Sequence, residues 1–287
     1  MSVARQAKRS LVSGDYVMTA DDFAQIAATL KEMSGIVLSD GKVALAYSRL
    51  AKRLRILGLN SFAEYCAMID SADGANELQA MLAALTTNVT RFYREPHHFD
   101  TLHDLFLSDL AQKARSGQRV RLWSAACSNG QEPYSMAMTL LTAMPDAASY
   151  DVRILATDID PNMVAEGRDG TYRSELLDPV PPQSRQRFFE NYQDGQLAAR
   201  SSLRELTRFN VLNLLGSWPM KYNFDVIFCR NVAIYFDEPT QERIWARFAQ
   251  CLDEGGHLFI GHSERVSGPA ERYFEATGLT TYRRRRA

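Results

Sequence analysis

Between Lys42 and Leu57 the apolar residues Val43, Ala46, Tyr47, Leu50, Leu54 and Leu57 recur at three- and four-residue spacing. That period predicts an amphipathic helix with one buried stripe. Lys42, Arg49, Lys52 and Arg53 gather on another face, and Arg55 falls on a different flank. The same period predicts helices over 21–33, 61–69 and 75–85, with Asp21 and Ser61 as N-caps. A small helical domain, 1–85, is therefore expected first. From Arg119 the pattern changes to short apolar runs, RVRLWSAA, DVRILATDI, FDVIFCRN and GHLFIGHS, with helical stretches over 132–143 and 240–251 among the segments between them. Strands buried on both faces and joined by helices predict an α/β domain, 86–287, with a mostly parallel, Rossmann-like sheet. Residues 172–208 interrupt the alternation with a helical stretch, PQSRQRFFENY, and two short polar strands around 196–201 and 203–209. They are expected to form a small antiparallel β insertion.

Composition bounds the function. At 287 residues, 46% hydrophobic and 23% charged, the chain is globular and long enough for two domains. Its 33 basic and 34 acidic residues give a net charge of −1, so no strong field attracts nucleic acid or a membrane surface. The longest uncharged stretches, 78–90 and 133–145, are shorter than the roughly 18 apolar residues of a spanning helix. The N-terminal segment carries basic residues without an apolar run and cleavage site, so no export signal is expected. Cys66, Cys127, Cys229 and Cys251 form no CxxC pair, which argues against a zinc site or disulfide framework and for a reducing cytoplasm.

Two loops carry candidate chemistry. RLWSAACSNGQEPYS runs from strand through a small-residue loop into a helix, where Ala125, Ala126, Ser128 and Gly130 permit close approach of a ligand. It lacks both GxGxxG and GxxxxGK[ST], and an ordinary strand-to-helix turn would read the same way. ILATDIDP ends its strand in Asp158 and Asp160. One suits a ribose diol and either suits a helix cap; Asp160 is the better cap and Asp158 the better ligand. The adjacent His97 and His98 cannot both face one site on a helix, and with no HxxxH spacing no metal is expected. Cys127 and Cys229 read as apolar fillers, and the arginines 283–286 as a solvated tail.

TTNVTRFYREPHHF, RLWSAACSNGQEPYS, ILATDIDP and FDVIFCRNVAIYF, in this order, resemble the CheR family of bacterial chemoreceptor methyltransferases. Those enzymes use S-adenosylmethionine to esterify receptor glutamates and release S-adenosylhomocysteine. The resemblance runs from the N-terminal helices to about Ser263. It implies a cofactor site of Asn88, Thr90, Arg94, Glu132, Asp158, Asn213, Leu214, Arg230 and Asn231. In it Asp158 holds the ribose, Asn213 and Leu214 lie on the adenine side, Arg94 sits near the reaction centre and Tyr235 lines it. It also implies a receptor-facing helix bearing Lys42, Arg49, Lys52 and Arg53, a chemoreceptor cytoplasmic helical bundle as partner and a role in chemotaxis adaptation; a monomer is favoured over an oligomer, with quaternary state open. Neither nucleic acid nor membrane insertion is implied, and the NPPY-like motif of amino-group methylation is absent. A glutamate is already anionic at neutral pH, so methyl transfer to it needs no general base.

The chain departs from the family pattern at Gln131, where two successive acids are usual, and in the insertion. Some members dock a receptor's C-terminal pentapeptide there through a glycine-rich turn, whereas NYQDGQLAARSSLREL holds only Gly195. That favours a pentapeptide-independent enzyme. The alternative is a CheR-like module that binds the cofactor and regulates a partner without transferring methyl groups.

Overall fold

The structure, a computed structural model, describes residues 10–286; the N-terminal basic run at 1–9 lies outside them. The chain divides between Thr87 and Asn88 into two compact units.

Unit 1 opens with a hairpin that the helical pattern did not announce, β1 (Ser10–Ser13) and β2 (Val17–Thr19). Four helices follow, α1 (Ala20–Ser34), α2 (Val43–Leu57), α3 (Phe62–Ile69) and α4 (Ala75–Leu85). Ser61 caps α3, accepting from the Glu64 amide. The cap of α1 is Thr19, not Asp21: Thr19 Oγ1 accepts from the Asp22 amide while Asp22 Oδ2 accepts from the Thr19 amide. This reciprocal box satisfies two helix-end donors at once, which a lone aspartate two residues later cannot do. The stripe of α2 is buried at Ala46, Leu50 and Leu54.

Unit 2 comprises α5 (His97–Leu105), α6 (Ala111–Arg115), β3 (Val120–Ala125), α7 (Gln131–Ala143), β4 (Val152–Asp158), α8 (Pro161–Asp169), β5 (Thr171–Arg173), α9 (Pro182–Phe188), β6 (Phe189–Asn191), β7 (Gln196–Ala199), α10 (Ser201–Leu206), β8 (Thr207–Val211), β9 (Phe224–Cys229), α11 (Glu238–Cys251), β10 (Leu252–Ile260), β11 (Phe274–Gly278) and β12 (Thr281–Arg284). A seven-stranded sheet has the order β11-β12-β10-β9-β3-β4-β8; β10, β9, β3, β4 and β8 are parallel, and β11 and β12 close one edge antiparallel. Every residue of β9 is buried, as a central strand covered on both faces requires. No helix among the described residues is long and apolar enough to cross a membrane.

Two further expectations fail. The insertion is a three-stranded antiparallel sheet, β5-β7-β6, but residues 203–209 are not one of its strands. Ser201–Leu206 is helical, and Thr207–Val211 pairs with β4 as an edge of the main parallel sheet. Thr207 and Phe209 point inward and the residues between and after them outward, so a half-buried edge strand carries the polar alternation that suggested a free hairpin. The terminal arginines are not a solvated tail either. Arg283 lies opposite Glu275 with an ion pair of 2.6 Å, Arg284 donates to the Leu252 carbonyl and Arg285 to that of Phe274.

Candidate functional site

The parallel strand order reverses between β3 and β9: from β3 the chain builds outward through β4 and β8, then returns to the other side of β3. Loops at the carboxyl ends of strands flanking such a reversal form a crevice that binds ligands. The loops after β3 and β9 carry Ser128, Arg230 and Asn231, β4 ends in Asp158 and the first turn of α7 holds Glu132, and the segment 88–96 is tied to them. Ser128 Oγ donates to the Asn88 carbonyl (2.9 Å), and Asn88 Nδ2 donates to Asp160 Oδ2 (3.0 Å). Phe92 N donates to Gln131 Oε1 (3.1 Å) and Tyr93 N to Ser135 Oγ (3.0 Å). Tyr93, Glu95, Ala126, Ser128 and Asn231 all take positive φ between 50° and 61°. Such backbone is uncommon outside glycine and gathers where function overrides local preference. Gly130, at φ 92°, begins α7 where a Cβ would meet Gly167 Cα at 2.8 Å.

At the centre lies Arg230, its side chain 1% exposed. Nη1 reaches Glu132 Oε2 (3.2 Å), Nη2 lies 3.4 Å from Glu95 Oε2, and Nη2 also donates to the Arg94 carbonyl. Glu132 Oε1 accepts from Ser124 Oγ (2.7 Å). Burial raises the Glu132 pKa, and Arg230 offsets only part of that rise. Burial also acts upward on Glu95, but Arg230, Asn231 and His262 outweigh it and hold the carboxyl below its ordinary value. Arg94 is half-buried, with Nη1 donating to the Val89 carbonyl (3.1 Å).

Asp158 Oδ2 accepts from the Ser128 amide (2.8 Å) and Oδ1 from the Asp160 amide (3.0 Å), which leaves each oxygen a second lone pair. Burial raises its pKa despite these donors. Asp160 caps α8, accepting from the Asn162 amide (2.9 Å). A strand-end carboxylate with two lone pairs to offer, beside a close-packed small-residue loop, fits the diol and amino-acid ends of S-adenosylmethionine. Asn213 orders the loop after β8 by accepting from the Leu215 amide, and Leu214 is buried. Thr90 and Tyr235 are half-buried, Tyr235 closing a short 3-10 turn, Ala233–Tyr235.

Three residues that the sequence reading did not promote hold this arrangement. Glu264, buried, accepts from the amides of Asn231 (3.0 Å), Ala233 (2.7 Å), Ile234 (3.3 Å) and Gly261 (2.5 Å), fixing the loop that carries Asn231 and Tyr235. Glu95 joins Arg230 to Asn231. Gln131 is turned into the protein, 3% exposed, so the charge that the family pattern carries there is replaced by an amide clamp on Phe92 and Asn129. Glu95 stands inside the recognised run TTNVTRFYREPHHF, and Glu264 directly follows the apolar run GHLFIGHS.

Contrary to the expectation from their adjacency, His97 and His98 do converge: with Glu95 they bring one ligand atom each within 4.8 Å of one another. Glu95, at φ 58°, lies two residues before α5, and its Oε2 is 3.5 Å from His98 Nδ1. Arg230 already neutralises that carboxylate and would oppose a divalent cation. Burial lowers the His98 pKa to about 3, aided by Arg230, and its Nε2 lies 2.9 Å from Thr280 Oγ1. The cluster reads as packing around the guanidinium. Burial raises the Cys127 and Cys229 thiols well above their usual pKa, so neither is a ready thiolate.

In unit 1 the four cations of the α2 face divide. Lys42 and Lys52 are exposed. Arg49 donates to the carbonyls of Ala84 (3.0 Å) and Thr86 (2.6 Å), and Arg53 grips buried Glu77 with two bonds of 3.0 and 2.5 Å. Tyr65 also donates to Glu77, at 2.8 Å. The expectation of one free four-cation face is therefore corrected: two of the four fasten the C-terminal end and first turn of α4.

Residues 88–283 match the family model described as CheR methyltransferase, SAM binding domain, and residues 21–86 match the CheR methyltransferase, all-alpha domain. A probable chemotaxis protein methyltransferase of Rhizobium etli is 53% identical over 87% of this chain and 94% of its own. Chemotaxis protein methyltransferase 2 of Pseudomonas aeruginosa is 41% identical over 93% of this chain and 94% of its own. The chemotaxis protein methyltransferase of Escherichia coli is 42% identical over 91% and 89%.

Proposed function

The chain belongs to the CheR methyltransferase family and is an S-adenosylmethionine-dependent methyltransferase of chemotaxis, and from that premise we propose that it esterifies glutamate side chains of chemoreceptors. The observation that carries this reading is a crevice rich in orienting groups, Arg94, Arg230 and Asn231, whose buried acids are already committed to internal donors rather than poised as a base. S-adenosylmethionine supplies an electrophilic methyl on its sulfonium. A glutamate oxygen, anionic at neutral pH, takes that carbon as the carbon–sulfur bond breaks; the electron pair stays on sulfur and no proton moves. Arg94 and Tyr235 align the acceptor and exclude water, and Asp158, Glu132, Asn88, Thr90, Asn213, Leu214, Arg230 and Asn231 hold the cofactor. Radiolabelled methyl transferred to receptor-containing membranes should be released as methanol by mild base. Base-stable label would overturn the glutamate assignment.

The partner in this reading is the cytoplasmic helical bundle of a methyl-accepting receptor, met in the cytoplasm by a monomer. Lys42, just before α2, and Lys52, on it, are exposed cations with no ion pair among the described residues, suited to an acidic bundle. Replacing both with Glu should raise KM for receptor several-fold and leave unfolding unchanged. Arg53→Ala should instead destabilise unit 1 by about 2–4 kcal/mol, because it leaves buried Glu77 without its cation. Urea unfolding of the two variants separates the roles; equal destabilisation would refute the division. The β6–β7 turn, with Gly195 its only glycine, supports independence from a receptor pentapeptide. Micromolar binding of such a peptide would overturn it.

A further inference from the structure

Glu264 is buried, and no cation among the described residues pairs with it. Its donors are backbone amides, divided evenly between its two oxygens. Oε2 accepts from Asn231 (3.0 Å) and Gly261 (2.5 Å), and Oε1 from Ala233 (2.7 Å) and Ile234 (3.3 Å). Asn231 takes φ 59°, and a Cβ on Gly261 would lie 2.7 Å from the Asn231 amide nitrogen, so at Oε2 the loops after β9 and β10 approach as closely as glycine allows. At Oε1, Ala233 and Ile234 are the first two residues of the short turn that ends in Tyr235, whose own amide donates to the Val232 carbonyl (3.1 Å). One carboxylate therefore fastens both the cofactor side of the loop, Asn231, and its acceptor side, Tyr235.

From this arrangement we infer that Glu264 is a positioning residue for the transfer step: as an internal anion it sets the alignment of the acceptor against the methyl group of the cofactor. The inference rests on the site reading above, in which Asn231 holds the cofactor and Tyr235 aligns the acceptor. Four N–H groups converging on two oxygens suit an ionised carboxylate, which has lone pairs for all of them; a protonated acid or an amide would point a hydrogen at a donor. Burial raises the Glu264 pKa, and the four amides act against that rise. Hydrogen bonds to an ionised acceptor are stronger than neutral ones, which lets this carboxylate hold Asn231 in backbone that a non-glycine residue seldom adopts. Methyl transfer needs oxygen, carbon and sulfur in line, so a loop that carries one group for each partner must be held to a fraction of an ångström. Glu264 acts through that loop, not on the substrate.

The test uses the full chain with Glu264→Ala, which keeps Cβ and removes the atoms of one acetate. With S-adenosylmethionine and receptor saturating, kcat should fall about 100-fold, the loss that a misplacement of about 1 Å produces, while KM for receptor stays within about threefold. Affinity for S-adenosylhomocysteine, read by calorimetry, should fall by less than about tenfold, the worth of one hydrogen bond, because Asp158, Glu132 and Arg230 keep their own partners. Added acetate should raise kcat of the variant saturably by about tenfold and leave wild type unchanged, whereas acetamide, of the same shape but with an NH2 among amide donors, should not, at constant ionic strength. Glu264→Gln, which preserves volume, should still lose at least about tenfold in kcat. Wild-type kcat in either variant, failure of acetate to raise kcat, or equal rescue by acetamide would overturn the inference. Loss of S-adenosylhomocysteine binding in both variants would overturn it too, assigning Glu264 to the folding of unit 2 instead. These rates are read as total methyl transferred, so base-stable label from wild-type protein would overturn the glutamate reading and leave this inference standing.

Discussion

Replacing Arg230 with methionine should cost unit 2 about 3–5 kcal/mol of unfolding free energy, the range for breaking a buried ion pair by removing one partner. Methionine preserves much of the side-chain volume, so the loss reports charge rather than a cavity. It would leave Glu95 and Glu132, 12% and 13% exposed, without their shared cation, and free the Arg94 carbonyl. The loss should also depend on pH. Burial already lifts Glu132, which would rise further without Arg230, while Glu95, now held below its ordinary value, would move upward too. A carboxyl with a raised folded pKa stabilises below its unfolded pKa of about 4.3 and loses that contribution as pH rises through the folded value. Arg230→Met should therefore lie closest to wild type near pH 5 and fall furthest behind near pH 8. Urea unfolding followed by tryptophan fluorescence reads unit 2, since Trp123, Trp218 and Trp245 all lie there. Adding Glu132→Gln should restore part of the loss. A deficit independent of pH would show that the guanidinium serves packing only.

The parts of the fold legible in the sequence were those where burial leaves a simple pattern. Strands such as FDVIFC, covered on both faces, read as unbroken apolar runs, and α2 shows its stripe because one side faces water. The segment 201–211 misled because a six-residue helix and a short edge strand adjoin without turn residues, and neither is long enough to establish a period. The site divides similarly. Residues within recognised motifs could be named, but the groups that position them act across long sequence gaps. Glu264 holds a loop 30 to 33 residues earlier, Glu95 meets Arg230 across the fold, and Arg53 finds Glu77 on another helix. Side-chain pattern along one element identifies which face is polar; it does not say whether that face meets water or an internal partner, and this is why Arg49 and Arg53 looked like surface cations. Gln131 was visible as a departure, yet its inward turn depends on the amide of Phe92, supplied by a segment far upstream.

The assignment of Asp158 to the ribose leads to the second large effect. Asp158→Asn should weaken S-adenosylhomocysteine binding about 100-fold, equivalent to two hydrogen bonds to a charged acceptor at roughly 1.5 kcal/mol each. Both carboxylate oxygens accept from backbone amides, those of Ser128 and Asp160. An asparagine must point its NH2 at one of these N–H groups, so one internal bond becomes a repulsion in addition to the lost charge. Asp160 provides the control. Its Oδ1 caps α8, where asparagine is as good as aspartate, and its Oδ2 accepts from the Asn88 side-chain amide, which, unlike a backbone N–H, can turn over and accept from the new NH2 instead. Asp160→Asn should therefore bind within a few-fold of wild type. The two acids are two residues apart at the same strand end, so general electrostatic attraction would be lost about equally in both variants. Calorimetric titration with S-adenosylhomocysteine decides between specific diol recognition and such a field. A large loss confined to Asp158→Asn supports the ribose contact; equal losses, or a larger one in Asp160→Asn, would move that contact away from Asp158.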